Sequence, residues 1–117
     1  MQQFKKGWYE MVLLCIISRG ETYGYEMITR LNADPGGVFS GAREGTVYPI
    51  LYRLEDSGLI AARMAASPKN GGMKKYYSIT PAGRELLGAL VGFWGDFSRS
   101  VGGFAAAAVT DKEENDG

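Results

Sequence analysis

The clearest pattern of hydrophobic and polar positions lies in residues 45–60, GTVYPILYRLEDSGLI. Apolar residues recur there at i, i+3, i+4 and i+7, the spacing of one stripe along a helix: Val47, Ile50, Leu51 and Leu54. The opposite face carries hydroxyl groups, a proline and a cation: Thr46, Tyr48, Pro49, Tyr52 and Arg53. A helix that is apolar behind and rich in hydrogen-bond donors in front is typical of one that enters a DNA groove.

The same periodicity predicts two helices before this one. The first runs from about Gly7 to Ser18 and is apolar nearly all round, which favours burial on more than one side. The second runs from Tyr23 to about Asn32, and Thr22 is placed to cap it. The helix described above is therefore the third, and it ends at Asp56 before a Ser-Gly pair.

After the third helix the pattern predicts a hairpin and one more helix. Residues 60–66 and 74–79 are expected to form two strands around a turn rich in Gly, Pro and Lys. Thr80 is then expected to cap a last helix, with Pro81 at its first position. The predicted fold is mainly α with a small β-hairpin, a winged helix-turn-helix followed by a C-terminal helix.

The last helix carries a second periodic pattern. Six apolar residues alternate at spacings of three and four, as in the a/d seam of a coiled coil: Leu87, Leu90, Trp94, Phe97, Val101 and Phe104. The helix either packs on its own core or pairs with a second copy. We favour the dimer, because the preceding elements already account for a small core. The predicted units are a DNA-binding domain (1–80), a dimerisation helix (81–109) and a disordered acidic tail (110–117).

Composition and charge limit the function. A chain of 117 residues, 45% apolar and 22% charged, is typical of one globular domain. It has one cysteine, no signal-peptide pattern and no apolar run near the roughly 18 residues that span a bilayer, so a cytoplasmic protein is expected. The formal net charge is zero, yet residues 1–110 hold 12 Lys/Arg against 9 Asp/Glu, a net charge of +3. Residues 57–84 contain no acid, which favours phosphate binding there.

The residues needed for catalysis are not apparent. The chain contains no histidine, and so no imidazole base or imidazole metal ligand. Cys15 lies between Leu14 and Ile16 in the first helix, which suits an inert thiol better than a nucleophile. We therefore predict no enzymatic activity, no metal and no cofactor. A redox sensor based on Cys15 is an alternative, and a winged-helix module that binds protein instead of DNA is another.

Six short segments together resemble the PadR family of bacterial transcriptional regulators, in the smaller subgroup with a single C-terminal helix. The resemblance covers roughly residues 8–100. The segments occur in the family's order and spacing: Tyr23-Gly24-Tyr25-Glu26, Gly45-Thr46-Val47-Tyr48-Pro49, Arg53-Leu54-Glu55, Gly58-Leu59-Ile60, Lys75-Tyr76-Tyr77 and Thr80-Pro81-Ala82-Gly83. The resemblance implies a homodimeric winged helix-turn-helix repressor that binds a palindromic operator. This chain departs from the family's usual pattern at Arg43, where a small capping residue is common, and at Met73 in the wing.

The candidate DNA-binding residues lie at the starts of the second and third helices and in the wing. They are Tyr23, Arg43, Glu44, Gly45, Thr46, Tyr48, Pro49, Tyr52, Arg53, Lys69, Lys74 and Lys75. The first residues of a helix in the major groove reach base edges, whereas most other contacts go to phosphate. Alternatives remain for several: core packing beside Leu51 for Tyr48, an ion pair with Glu55 or Asp56 for Arg53, and simple solvation for the wing lysines.

The resemblance also implies an effector site. Some members of the subgroup bind flat aromatic compounds between the two subunits, using a tryptophan of the C-terminal helix, and Trp94 falls at the matching position. We expect the walls of such a slot to be Phe4, Trp8, Phe93, Trp94 and Phe97. An aromatic ligand there would release the DNA. The alternative is that these rings only pack together.

Overall fold

The computed structural model describes the backbone of residues 2–69 and 71–116 and the side chains of residues 7–69 and 71–109. The elements follow in the order α1 (Gln2–Ser18), β1 (Thr22–Tyr23), α2 (Gly24–Asn32), α3 (Glu44–Asp56), β2 (Ile60–Ala66), β3 (Met73–Ile79) and α4 (Pro81–Asp116). The three strands form one antiparallel sheet in the order β1-β3-β2. The fold is therefore mostly helical with a small sheet, as predicted, with β1 added to the predicted hairpin.

The chain consists of two compact units, Met1–Leu87 and Gly88–Gly117. The predicted limits at residues 80 and 109 remain predictions. The disorder predicted for residues 110–117 likewise remains a prediction, and the side chains of these residues lie outside the described part of the chain.

The first unit contains the buried apolar core. Helix α1 packs on β3 and α3, and α2 packs on α3. The apolar stripe of α3 is buried as predicted, and the rest of the core comes from the other elements of this unit: Tyr9, Leu13, Leu14, Ile17, Met27, Leu31, Ala42, Ile60 and Tyr77. The exposed face of α3 is thus held on a rigid support, because its opposite side is fixed by close packing.

The two threonines predicted to cap helices behave differently. The Thr80 hydroxyl oxygen accepts a hydrogen bond from the Gly83 N–H at 3.0 Å, so the predicted cap of α4 is confirmed. The prediction for Thr22 is wrong, because Thr22 pairs with Tyr77 in the sheet and its side chain is buried. Tyr23 takes the N-cap position of α2 instead, in extended conformation and without a side-chain cap bond.

Candidate nucleic-acid interface

The front of α3 is exposed along its first three turns. Every candidate residue from Arg43 to Arg53 on this face is exposed except Tyr48, which is half-buried. Arg43 is the N-cap residue, in extended conformation and without a side-chain cap bond, so its guanidinium is not used to close the helix. The N–H groups of Thr46 and Val47 instead donate to the Arg43 carbonyl oxygen, each at 3.0 Å. The arrangement presents the start of α3 to an external partner.

Tyr48 lies against the start of α2 and not against the centre of the core. A Cβ atom added to Gly24 would stand 2.5 Å from the Tyr48 hydroxyl oxygen, so only glycine leaves room for this ring. The ring centroids of Tyr48 and Tyr52 are 6.1 Å apart. Burial raises the pKa of Tyr48, and the charge of Glu44 adds to this effect. Tyr48 therefore stays neutral and keeps its hydroxyl as a hydrogen-bond donor.

Five of the predicted residues from three elements meet in one groove. This groove, called the tyrosine–lysine groove below, has a volume of about 330 Å³ and is lined by Tyr23, Gly24, Tyr25, Tyr48, Tyr52, Lys74, Lys75 and Tyr77. Lys74 and Lys75 are adjacent on β3, where successive side chains point to opposite faces. They reach the groove from those two faces, over the ring of Tyr23 and the ring of Tyr52.

Cation–ring contacts hold both lysines at the groove. The Lys74 ammonium stands 4.1 Å from the ring centroid of Tyr23. The Lys75 ammonium stands 5.3 Å from the centroids of both Tyr52 and Tyr77. These distances fall within the roughly 6 Å at which a cation is attracted by an aromatic face. The groove therefore combines phenol donors with two positioned cations, which is the chemistry that binds phosphate oxygens.

Two cations of this surface also have carboxylate partners. The Arg53 guanidinium lies 2.6 Å from the Glu10 carboxylate of α1, so the predicted alternative of pairing with Glu55 or Asp56 is wrong. Position 10 is 43 residues from position 53 along the chain, and no local pattern in the sequence indicates the contact. Glu55 instead pairs with Lys75 at 3.0 Å, and this contact raises the pKa of Lys75.

The wing is a tight turn between β2 and β3. The Ser67 N–H donates to the Gly72 carbonyl oxygen at 2.6 Å, and Gly71 adopts a left-handed φ of 71°. Lys69 is exposed on this turn and is not among the residues that line the tyrosine–lysine groove. Arg63 on β2 is held by two hydrogen bonds to Glu21, at 2.7 and 2.5 Å. Hence Lys69 is the cation at the tip, and Arg63 is fixed at the base of the wing.

Sequence reasoning missed three residues that line the groove: Gly24, Tyr25 and Tyr77. Gly24 and Tyr25 directly follow Tyr23, so their position at the start of α2 could have identified them. Tyr77 lies two positions after Lys75, and the two-residue repeat of a strand places both on one face.

The apolar seam of α4 is exposed in the second unit. Trp94, Phe97, Val101 and Phe104 retain between 39% and 81% of their accessible surface. The rings of Phe93 and Phe97 stack with centroids 5.6 Å apart, and Trp94 lies 6.3 Å from Phe97. A Cβ atom would meet nothing within 4 Å at glycines 88, 92 and 95. This part of α4 therefore presents exposed aromatic rings beside glycine positions that no other side chain crowds.

The remaining predicted residues lie at the other end of the chain or closer to the core. The side chain of Phe4 lies outside the described residues. Trp8 is half-buried on α1 in the first unit, and Leu87 and Leu90 are half-buried on α4.

Burial raises the pKa of the Cys15 thiol. Within the described residues, no group of three or more His, Cys, Asp or Glu side chains is placed to hold a metal ion.

Comparison with known proteins identifies the family. A sequence model described as "Transcriptional regulator PadR-like family" matches residues 13–89. The chain belongs to the PadR-like family. The proteins of this family are transcriptional regulators and not enzymes, in agreement with the prediction from the sequence. Among the helices of this PadR-like protein that the structure describes, none has both the length and the apolar character required to cross a membrane.

Solved structures of several relatives share the fold. A PadR-like transcriptional regulator from Bacillus cereus is 39% identical, with a TM-score of 0.79 over 88% of this chain and 96% of that chain. A transcriptional regulator from Streptococcus is 32% identical, with a TM-score of 0.77 over 90% and 98%. Bacillus subtilis PadR in complex with operator DNA is 27% identical, with a TM-score of 0.62 over 70% and 45%. These matches confirm the predicted family and the winged-helix fold.

Proposed function

We propose that this PadR-like regulator is a homodimeric repressor that binds a palindromic operator through α3 and the tyrosine–lysine groove. The observation that carries the proposal is the meeting of Tyr48 and Tyr52 from α3 with Lys74 and Lys75 from β3 in one groove. The start of α3 would enter the major groove, where Arg43, Thr46 and Pro49 would reach base edges. The solved complex of Bacillus subtilis PadR with operator DNA supports this assignment.

The groove residues would bind the phosphates of the DNA backbone. The tyrosine hydroxyls and the two lysine ammonium groups can donate hydrogen bonds to phosphate oxygens, and such contacts set the register of the protein on the duplex. Lys69 at the tip of the wing would follow the adjacent phosphates or the minor groove. The protein would work in the cytoplasm, where bacterial DNA lies.

The test combines one change on each side of the groove. The double variant Tyr52→Ala, Lys74→Ala is expected to bind DNA from the gene's own upstream region at least about tenfold more weakly, because two phosphate contacts are lost. Arg99→Ala is the matched control, since Arg99 is an exposed cation of α4 paired with Asp96. Gel shifts and fluorescence anisotropy would measure both. Equal affinity of the double variant and the control would contradict the assignment of the groove.

Dimerisation would use the exposed seam of α4. A second copy would cover the rings and valine side chains that the protomer leaves exposed, and the open glycine positions would allow its backbone to approach closely. Leu90→Asp places a charge within this seam and is expected to give monomers in sedimentation velocity. Ala89→Asp, at an exposed position off the seam, is the control. A Leu90→Asp protein that remained dimeric would contradict the seam.

The effector would be a planar aromatic molecule held by Trp94, Phe93 and Phe97, together with Phe4 and Trp8. It would release DNA by binding one arrangement of the α4 helices better than the other. In a Trp8→Phe variant the remaining tryptophan is Trp94, so a panel of planar cations and phenols should quench its fluorescence and weaken operator binding. Absence of both responses across the panel would count against the effector site.

A further inference from the structure

Two carboxylates of the first unit form ion pairs with cations of the proposed DNA-binding surface. Glu10 of α1 binds Arg53 at 2.6 Å, and Glu55 of α3 binds Lys75 at 3.0 Å. All four side chains are partly exposed, between 34% and 46%. Lys74, by contrast, contacts the ring of Tyr23 and has no carboxylate partner within 4 Å among the described side chains. The cations of this surface therefore differ in how readily they can bind a phosphate group.

Exposed ion pairs of this kind open readily. Their net contribution is about 0–1 kcal/mol, because water and salt screen the charges. The dense negative charge of duplex DNA can therefore draw Arg53 or Lys75 onto a phosphate. Each such transfer leaves Glu10 or Glu55 without its partner, next to a strongly negative polymer. The unpaired carboxylate then repels the DNA phosphates, which opposes the transfer.

We propose that Glu10 and Glu55 are internal competitors of DNA phosphate that restrain the sequence-independent part of binding. This inference rests on the proposed function, namely that the front of α3 and the groove bind DNA. A phosphate contact normally releases about 0.9 of a counterion from B-DNA. A cation that stays paired with its carboxylate neutralises no phosphate, so Arg53 and Lys75 contribute little to this release in the wild type. Random DNA is affected most, because its binding is almost wholly electrostatic.

The test is the salt dependence of binding to a random duplex. Glu10→Gln retains the shape of the side chain and removes its charge. The slope of log K against log salt is expected to become steeper by about 0.9, which gives about eightfold tighter binding at 0.1 M salt if the two proteins bind equally at 1 M. Glu55→Gln is expected to behave in the same way through Lys75. Circular dichroism and thermal unfolding would show that each variant is folded.

The matched control is Glu26→Gln, which removes the same charge from an exposed pair on α2. Glu26 binds Arg30 at 3.2 Å, and Arg30, unlike Arg53 and Lys75, is not among the candidate DNA-binding residues. Its slope is expected to stay near that of the wild type. The double variant Glu10→Gln, Arg53→Gln is expected to lose the added slope, since the freed cation is gone. Because the double variant has the net charge of the wild type, it is Glu26→Gln, with the same gain of charge as Glu10→Gln, that separates release of Arg53 from a general change in net charge.

Two results would be decisive in different ways. If Glu10→Gln and Glu26→Gln had the same slope while the wild type bound DNA, the competition by Glu10 would be refuted. If the wild type bound neither its upstream region nor a random duplex, the proposed function itself would be refuted. Steeper slopes for both Glu10→Gln and Glu55→Gln, absent from the control, would support the inference.

Discussion

Replacing Gly24 by alanine tests how the fold positions the candidate interface. The new Cβ atom would lie 2.5 Å from the Tyr48 hydroxyl oxygen and 2.6 Å from two carbons of the ring. Ordinary contact begins at 3.4 Å, so the ring must retreat by about 0.9 Å. Tyr48 sits beside Tyr52, and the shift therefore reaches the exposed front of α3.

The expected cost follows from two opposing effects. Overpacking of this size destabilises a protein by about 1–3 kcal/mol. Alanine gains up to about 1 kcal/mol over glycine inside a helix, but position 24 is the first residue of α2, where the gain is smaller. We expect a net loss of about 1–2 kcal/mol in the free energy of unfolding, together with weaker DNA binding. Urea unfolding at a fixed protein concentration would measure the stability, since the proposed dimerisation would make it concentration-dependent.

A double-mutant cycle shows whether the contact with Tyr48 is the cause. In a Tyr48→Ala background the clash is absent, so Gly24→Ala should lose most of its cost there, a coupling of about 1 kcal/mol or more. Gly45→Ala is the control, because a Cβ atom at that position of α3 meets nothing within 4 Å. Strict additivity of the two changes, or equal stability of Gly24→Ala and Gly45→Ala, would refute the reasoning.

Two further predictions concern the packing of the first unit. Gly83→Ala would overlap the Leu59 carbonyl oxygen and place its Cβ 2.8 Å from Ile79. Because a backbone oxygen cannot move aside as a ring can, the free energy of unfolding measured in urea should fall by about 3 kcal/mol or more. A smaller loss than that of Gly24→Ala would contradict this expectation. Burial raises the pKa of Cys15, so less thiolate is present at pH 7.5 and iodoacetamide should alkylate the folded protein more slowly than the urea-unfolded chain. Equal rates would favour the alternative of an accessible redox cysteine.

Much of the local structure could be predicted because its causes are local. The buried stripe of α3 follows from the helical period alone. The cap by Thr80 follows from the N–H groups at the start of α4, which have no partner within the helix. β1 was missed because two residues are too few to show the alternation of a strand. Its formation depends on the pairing of Thr22 and Tyr23 with Tyr77 and Tyr76 of β3, and the residues of these two strands are separated by more than 50 positions.

The candidate interface shows the same division between local and distant causes. The sequence alone identified the exposed front of α3 and the two lysines of β3, since side-chain chemistry and periodicity are readable along the chain. Only the tertiary structure brought Lys74 and Lys75 over the rings of Tyr23 and Tyr52, and only it assigned Glu10 to Arg53. Contacts between distant segments depend on how the whole core packs, and no short pattern of residues records that packing.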